Sequence, residues 1–282
     1  MTLLISLFLG LVQGITEFLP ISSSGHLSIL QNLFSLNYSE DENMLFDVFL
    51  HLGTLVSIIV VYRKEIRAML SGGVTFLRMR SDNDSDEPVV MMPPARALLF
   101  VIIGTIPMII AVICMHFVKR LFFSLGFIGF ALIATGGILY VADRHVKKGN
   151  KTEKTMTIKD AIIIGLAQAA AVVPGLSRSG TTISVGLARG LSGSFAVRFS
   201  MLLSIPAVFG AMVVSLYSAI RNGINFSLFP IYLCGFIVAM IVGFFAIQLL
   251  RRLINKGGFG NFAFYCWGVG ALTMLLSLII RN

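Results

Sequence analysis

Long apolar stretches follow one another along almost the whole chain, and the polar positions inside them are clustered rather than scattered. A helix needs about 20 mainly apolar residues to cross a bilayer. Residues 45–62, 97–118, 122–142, 195–220, 228–250 and 262–280 meet that requirement and are predicted as full spans. Two further apolar stretches, 3–34 and 158–191, are each interrupted by a polar cluster rich in Pro, Ser and Gly. They are predicted as broken segments. The short acidic stretch 81–87 reads as a solvated loop tip.

The pattern repeats. Gly10-Leu11-Val12-Gln13 recurs as Gly165-Leu166-Ala167-Gln168, 155 positions later, and Ser22-Ser23-Ser24-Gly25 recurs at the same shift as Ser177-Arg178-Ser179-Gly180. Pro20 and Pro174 fall one residue out of step. Three candidate spans follow each motif, so the halves share one plan: a broken segment and three spans. An odd number of spans per half turns the second half upside down, the inverted-topology repeat of many transporters, whose broken helices meet at the midplane. The expected fold is therefore an all-α polytopic membrane protein of one domain, 1–282, with two re-entrant helix pairs and about six full transmembrane helices. Repeat one is expected over about 1–145 and repeat two over about 156–282.

Charge supports that topology. Basic loops stay on the cytoplasmic side. With both broken segments re-entrant, residues 63–96, 144–154 and 251–256 share one side, and the acidic Glu40-Asp41-Glu42 loop and both termini lie on the other. Lys119-Arg120 and Arg221 count against this arrangement, and eight full spans are an alternative. The first basic residue is Arg63, so the basic leader of a cleaved signal peptide is missing. The first apolar segment is expected to stay in the mature protein.

Composition narrows the class further. Only 12% of the 282 residues are charged, about half the soluble-domain share, and mean hydropathy is +0.90. The net charge of +9 reads as topology, and no basic stripe interleaved with aromatics indicates nucleic acid. Cys114, Cys234 and Cys266 lie in apolar spans without metal-ligand spacing and read as packing residues.

The chemistry therefore has to come from the two polar clusters. Gln13 and Glu17 are four apart and share a helix face. Pro20 ends that helix near Leu19, and a second short helix starts near His26 after a Ser22-Ser23-Ser24-Gly25 turn. In the second cluster Pro174-Gly175 breaks a helix, Ser177-Arg178-Ser179-Gly180 turns, and a helix begins near Thr181, with Thr182 in its first turn. A serine-capped helix N-terminus is an anion site. Arg178 adds a fork suited to phosphate. Facing each other, the motifs converge two helix N-termini, the hydroxyls of Ser22, Ser24, Ser177, Ser179 and Thr182, the backbone of Gly25 and Gly180, and one Arg, opposite Glu17 and His26. That constellation suits a phosphate or pyrophosphate near a membrane.

Blander readings stand beside this one. Serines in membrane helices often only bond backbone or pack helices. Arg178 also reads, as the lesser alternative, as a structural counter-ion for Glu17. An acid at membrane depth, such as Glu17, is functional by default. Asp47 and His51, four apart at the head of a span, read as a helix-start Asp with a neighbouring His. His116 and His145 near span ends have no partner evident in the sequence.

The stretches Gln13-Gly14-Ile15-Thr16-Glu17, Pro20-Ile21-Ser22-Ser23-Ser24-Gly25-His26 and Pro174-Gly175-Leu176-Ser177-Arg178-Ser179-Gly180-Thr181-Thr182 resemble the signatures of the bacterial undecaprenyl-pyrophosphate phosphatases, the BacA/UppP family. The resemblance covers nearly the whole chain. It implies hydrolysis of undecaprenyl pyrophosphate to undecaprenyl phosphate and inorganic phosphate. That reaction recycles the lipid carrier of cell-wall polymers, and overproduction confers bacitracin resistance. It further implies a divalent cation, Mg2+ or Ca2+, a plasma-membrane location with the site opening outward, and an interdigitated inverted repeat. Glu17 matches the family's acid, Ser23 and His26 its candidate nucleophile and partner, and Arg178 its pyrophosphate-binding arginine. Gln13 and Glu17 match the metal-holding positions. Many members carry Glu where this chain has Gln13, which leaves Glu17 as the one carboxylate of the motif.

The expected mechanism has Ser23 attacking phosphorus with His26 removing its proton. His26 as nucleophile and His26 activating water are open alternatives. Two other classes remain in view. One is a transporter or lipid flippase, from the repeat plan. The other is the phosphatidic-acid phosphatase superfamily, which needs a catalytic His after Ser177-Arg178, where this chain has none. The expected partners are the isoprenoid lipid substrate and membrane lipids; a homodimer is left open.

Overall fold

The computed structural model describes residues 2–33, 40–81, 91–145, 149–222 and 228–279, and among these the regular structure is helical apart from one isolated β-bridge between Lys151 and Leu191. In chain order the helices are α1 (Leu3–Phe18), α2 (Ser23–Leu33), α3 (Glu40–Val61), α4 (Arg63–Ser81), α5 (Pro93–Thr105), α6 (Met108–Leu121), α7 (Leu125–His145), α8 (Ile158–Ala170), α9 (Arg178–Ala188), α10 (Gly193–Asn222), α11 (Phe229–Asn255) and α12 (Asn261–Ile279). Among the described residues five helical stretches are long and apolar enough to cross a membrane, and a sixth joins them when α3 and α4 count as one bent span. The protein is a multi-pass, all-α membrane protein.

The two broken segments take the expected form. α1 and α2 have 16 and 11 residues, and α8 and α9 have 13 and 11. At 1.5 Å per residue these rise roughly 16–24 Å, short of the ~30 Å hydrocarbon core. α1 stops at Phe18, just ahead of Pro20. α8 stops at Ala170, earlier than Pro174-Gly175 demands, and the turn between it and α9 spends Gly175 at φ +92°. Both following helices begin sooner than expected, α2 at Ser23 and α9 at Arg178, because Ser22 and Ser177 accept from the amides three residues on and thereby cap them.

Order and packing obey the repeat. α1 runs along α11, where Gly10 and Gly14 meet the backbone of Gly235 and Gly243, while α8 packs on α5 at Gly165 and Gly104. Each half thus lays its first broken helix against the other half's second span unit. Small residues permit that approach, and close backbone packing is what holds helices together in lipid. α7 lies along α12 and α3 along both α10 and α11, so the third span of each half packs on its counterpart.

Three features differ from the sequence reading. Glu40-Asp41-Glu42 is the first turn of α3 rather than a loop; its side chains lie outside the described residues. The stretch expected as loop, 63–96, contains α4, whose low hydropathy hid it from a search for spans. The span expected over 97–118 is present as one apolar stretch, Pro93–Cys114, but its helix is interrupted between α5 and α6 at Pro107, which cannot donate to the helix ladder. Residues 82–87 of the acidic stretch, and the side chains of His116 and His145, lie outside the described residues. One cavity brings together Tyr62, Glu65, Thr152, Ser192, Arg198, Arg251 and Asn255, so the ends of the three basic loops meet at one end of the bundle.

That end is tied by Asp160, a fully buried carboxylate in the first turn of α8. Its Oδ2 accepts from Lys151 Nζ at 3.1 Å and from the Thr157 amide at 3.1 Å and hydroxyl at 2.9 Å. Its Oδ1 accepts from Arg189 Nε at 2.8 Å. Burial opposes its ionisation, but the bonds from Thr157, Lys151 and Arg189 outweigh it and pull its pKa down to about 2.

Candidate active site

The turns of the two motifs touch. A Cβ added to Gly25 would stand 3.1 Å from the Cα of Gly175, so these two turns approach backbone to backbone. Ser22 holds the left-handed conformation at φ +71°, which costs a non-glycine residue about 1 kcal/mol. Its side chain recovers part of that by accepting from the Gly25 amide at 3.2 Å. The second motif copies the device: Ser177 accepts from the Gly180 amide at 3.1 Å. Ser22 and Ser24 hydroxyls lie 3.4 Å apart, and Ser177 and Ser179 hydroxyls 3.2 Å apart. Ser179 also donates to the Leu19 carbonyl at 3.3 Å, lacing one turn to the other. Thr135 on α7 holds the second turn, donating to the Gly175 carbonyl and accepting from the Ser177 amide.

Glu17 lies at the centre, in the last turn of α1, with only 7% of its surface exposed. Its Oε1 pairs with Nη2 of Arg178, the first residue of α9. Its Oε2 accepts from the Ser23 hydroxyl at 2.6 Å, from Gln13 Nε2 at 3.1 Å, and lies 4.0 Å from His51 Nε2. A buried acid at this depth is tolerable because a cation and three further polar groups converge on it. Arg178 is not exhausted by the pair: its Nη1 is buried with no partner among the described residues. One donor of the fork thus remains for an anion in the cleft between the two helix N-termini.

His26 is one turn away on α2. Its Nδ1 is 2.8 Å from the Ser22 carbonyl, and its Nε2 is 2.9 Å from the Tyr265 hydroxyl, with the two rings stacked at 5.7 Å. A carbonyl only accepts, so Nδ1 carries the proton, and in the neutral ring Nε2 accepts from Tyr265. The Ser23 hydroxyl bonds to Glu17 in this arrangement, and the ring nitrogens of His26 are engaged elsewhere.

The structure thus brings together Gln13, Glu17, Ser23 and Arg178, with His26 and the turn residues Ser22, Ser24, Gly25, Ser177, Ser179 and Gly180 around them. Thr182 faces away from this cluster, donating to the Arg178 carbonyl and sharing a hydrogen bond with Ser200. Two further residues join the site. His51 reaches Glu17 from α3, and Asp47 beside it accepts from Gln31 at 3.3 Å. The i, i+4 spacing of Asp47 and His51 was the available signal, and a helix-start reading explained it equally well. Tyr265 carried no signal, because an aromatic in a span is ordinary.

Among the described residues no group of three or more His, Cys, Asp or Glu side chains could cage a metal ion. The donors present are Glu17 and Gln13 Oε1, which is buried without a partner. One carboxylate and one amide oxygen fit a Mg2+-type site, where such an ion relies on one or two carboxylates and takes its other ligands from phosphate and water.

Residues 6–272 match the family described as bacitracin resistance protein BacA. The chain is 40% identical to an undecaprenyl-diphosphatase of Carboxydothermus hydrogenoformans, over 96% of each chain. It is 37% identical to one of Methanosphaera stadtmanae and 39% identical to one of Methanobrevibacter smithii, over 99% of each chain in both cases. Near-complete coverage in both directions leaves no part of the fold unmatched: the chain belongs to the BacA family.

Proposed function

We propose that this protein is an undecaprenyl-diphosphate phosphatase, releasing inorganic phosphate from the membrane lipid and leaving undecaprenyl phosphate. The observation that carries the reading is the placement of Glu17 between the Ser23 hydroxyl and the Arg178 guanidinium, at the meeting of two helix N-termini. The names of the relatives supply the substrate.

In the proposed reaction the diphosphate enters between α2 and α9. Arg178 Nη1 and the free amides of the first turns grip it, which neutralises charge as phosphoryl transfer requires. The arriving anion shares the Arg178 charge with Glu17 and leaves that carboxylate more basic. Ser23 Oγ attacks the terminal phosphorus, its proton passes to Glu17 Oε2, and the anhydride P–O bond breaks with undecaprenyl phosphate as leaving group. Water then hydrolyses the phosphoseryl bond, and the proton on Glu17 is returned. His26, oriented by Ser22 and Tyr265, is placed to assist the water. A divalent cation held by Glu17 and Gln13 Oε1 would supply further charge neutralisation at the diphosphate. The site is proposed to open outward in a plasma membrane, where such turnover recycles the lipid carrier and lowers sensitivity to bacitracin.

The test is phosphate release from a C15 or C55 isoprenyl diphosphate by the purified protein with Mg2+ or Ca2+. Release is expected from the wild type and not from Glu17→Ala. Absence of release by the wild type, or full activity in Glu17→Ala, overturns the reading.

A further inference from the structure

By itself α4 is too polar to be a span, yet it carries an uncovered apolar strip. Leu70, Val74 and Leu77, spaced i, i+4 and i+7, lie on one strip of the helix and are 55%, 51% and 66% exposed. The side of the helix away from them is the one that packs: Met69 is buried, and Gly72 and Gly73 lie against Pro94, Ala95 and Leu98 of α5. The cations border that strip: at 100° per residue Arg67 and Arg78 lie roughly 50–70° round the helix from its centre, and Arg63, in the first turn, continues its line. Lys64 and Arg80 add two more cations, against one acid, Glu65.

Direction completes the case. α4 leaves α3 at an angle of 75°, so the two are not one straight span. With α3 tilted about 20°, as spans commonly are, α4 lies within roughly 35° of the membrane plane. Its first turn joins the cavity at which the basic loop ends converge. An apolar strip flanked by a cationic strip on an in-plane helix is the architecture of an interfacial amphipathic helix.

We propose that α4 binds the anionic surface of the bilayer, with Leu70, Val74 and Leu77 in the acyl boundary and Arg63, Lys64, Arg67, Arg78 and Arg80 on acidic headgroups. The helix makes this end of the protein selective for anionic lipid, independently of the diphosphate site. Charge complementarity decides between occupants. A second copy of α4 would set five cations against five, whereas acidic headgroups neutralise them.

Two measurements test this. In full-length protein carrying Trp267→Phe, which removes the single native tryptophan, Val74→Trp and Thr75→Trp, roughly 100° apart on the helix, are compared in vesicles of phosphatidylcholine and phosphatidylglycerol in equal parts. Brominated acyl chains should quench residue 74 several-fold more than residue 75. Equal quenching, or shielding of residue 74 from both bromolipid and aqueous iodide, would mean solvent or protein contact and overturns the proposal. Separately, unlabelled protein extracted from the same vesicles should retain phosphatidylglycerol several-fold over its bulk share. Arg63→Gln/Arg67→Gln/Arg78→Gln/Arg80→Gln should bring that ratio to about one. No enrichment in the wild type, or unchanged enrichment in the variant, also overturns it.

Discussion

Ser23 and Arg178 occupy the same position in the two repeats, 155 residues apart, and each binds a different oxygen of the same carboxylate, Glu17. Both follow a capping serine and open a short helix. The repeat therefore builds one site from two copies of a turn whose key position has diverged: a hydroxyl on one side, a guanidinium on the other.

Replacing Ser23 by Ala removes the attacking group and leaves the cap, which belongs to Ser22. Phosphate release is expected to fall by about 100-fold or more, with substrate affinity little changed. A phosphoseryl adduct trapped by acid quench should be present in the wild type and absent from Ser23→Ala.

Arg178→Lys keeps the charge but loses the fork. One ammonium cannot hold Glu17 and an anion as Nη2 and Nη1 do, so KM should rise along with a loss in kcat. Arg178→Ala should also lower stability, by about 3 kcal/mol, because it leaves a buried carboxylate without its cation. Thermal unfolding in detergent separates the two substitutions.

Gly25→Ala puts a methyl 3.1 Å from Gly175 Cα. Backbone stands on the far side, so the two turns must part. The expected cost is about 1–3 kcal/mol, with an activity loss larger than the stability loss explains, since the turns position Ser23 and Arg178. Steady-state kinetics below the unfolding transition would reveal it.

Tyr265→Phe removes the donor to His26 Nε2 and retains the stacked ring. The Ser22 carbonyl still fixes Nδ1, so activity should fall less than in His26→Ala, where ring and orientation both go. Nitrogen NMR of His26 should show the Nδ1-protonated form in the wild type.

Asp160 gives a pH signature. Its pKa is about 2, below its unfolded value of about 4. Stability from this group is therefore complete above about pH 4 and lost as pH falls through about 2, amounting to about 2 kcal/mol by linkage. Asp160→Asn should abolish that part of the acid dependence and strand Lys151 and Arg189, costing about 2 kcal/mol at neutral pH. Unfolding measured across pH 2–7 checks both.

Much of this was open to reading in the sequence. Spans announce themselves because lipid demands apolar side chains along their whole length. The broken helices were equally legible, since Pro20, Pro174 and the serine turns act within a few residues. α4 was missed because its apolar strip is narrow and its mean hydropathy low, and the break at Pro107 because proline inside a span often only bends it.

The sequence by itself determined the helices, the repeat and the residue types available for phosphate chemistry, because these follow from local periodicity, capping and composition. The tertiary structure decided which of them meet. Arg178 reaches Glu17 across 161 positions, His26 turns to Tyr265 across 239, and His51 closes on Glu17 from α3. Those contacts are set by glycine-lined helix packing, and no local pattern encodes them.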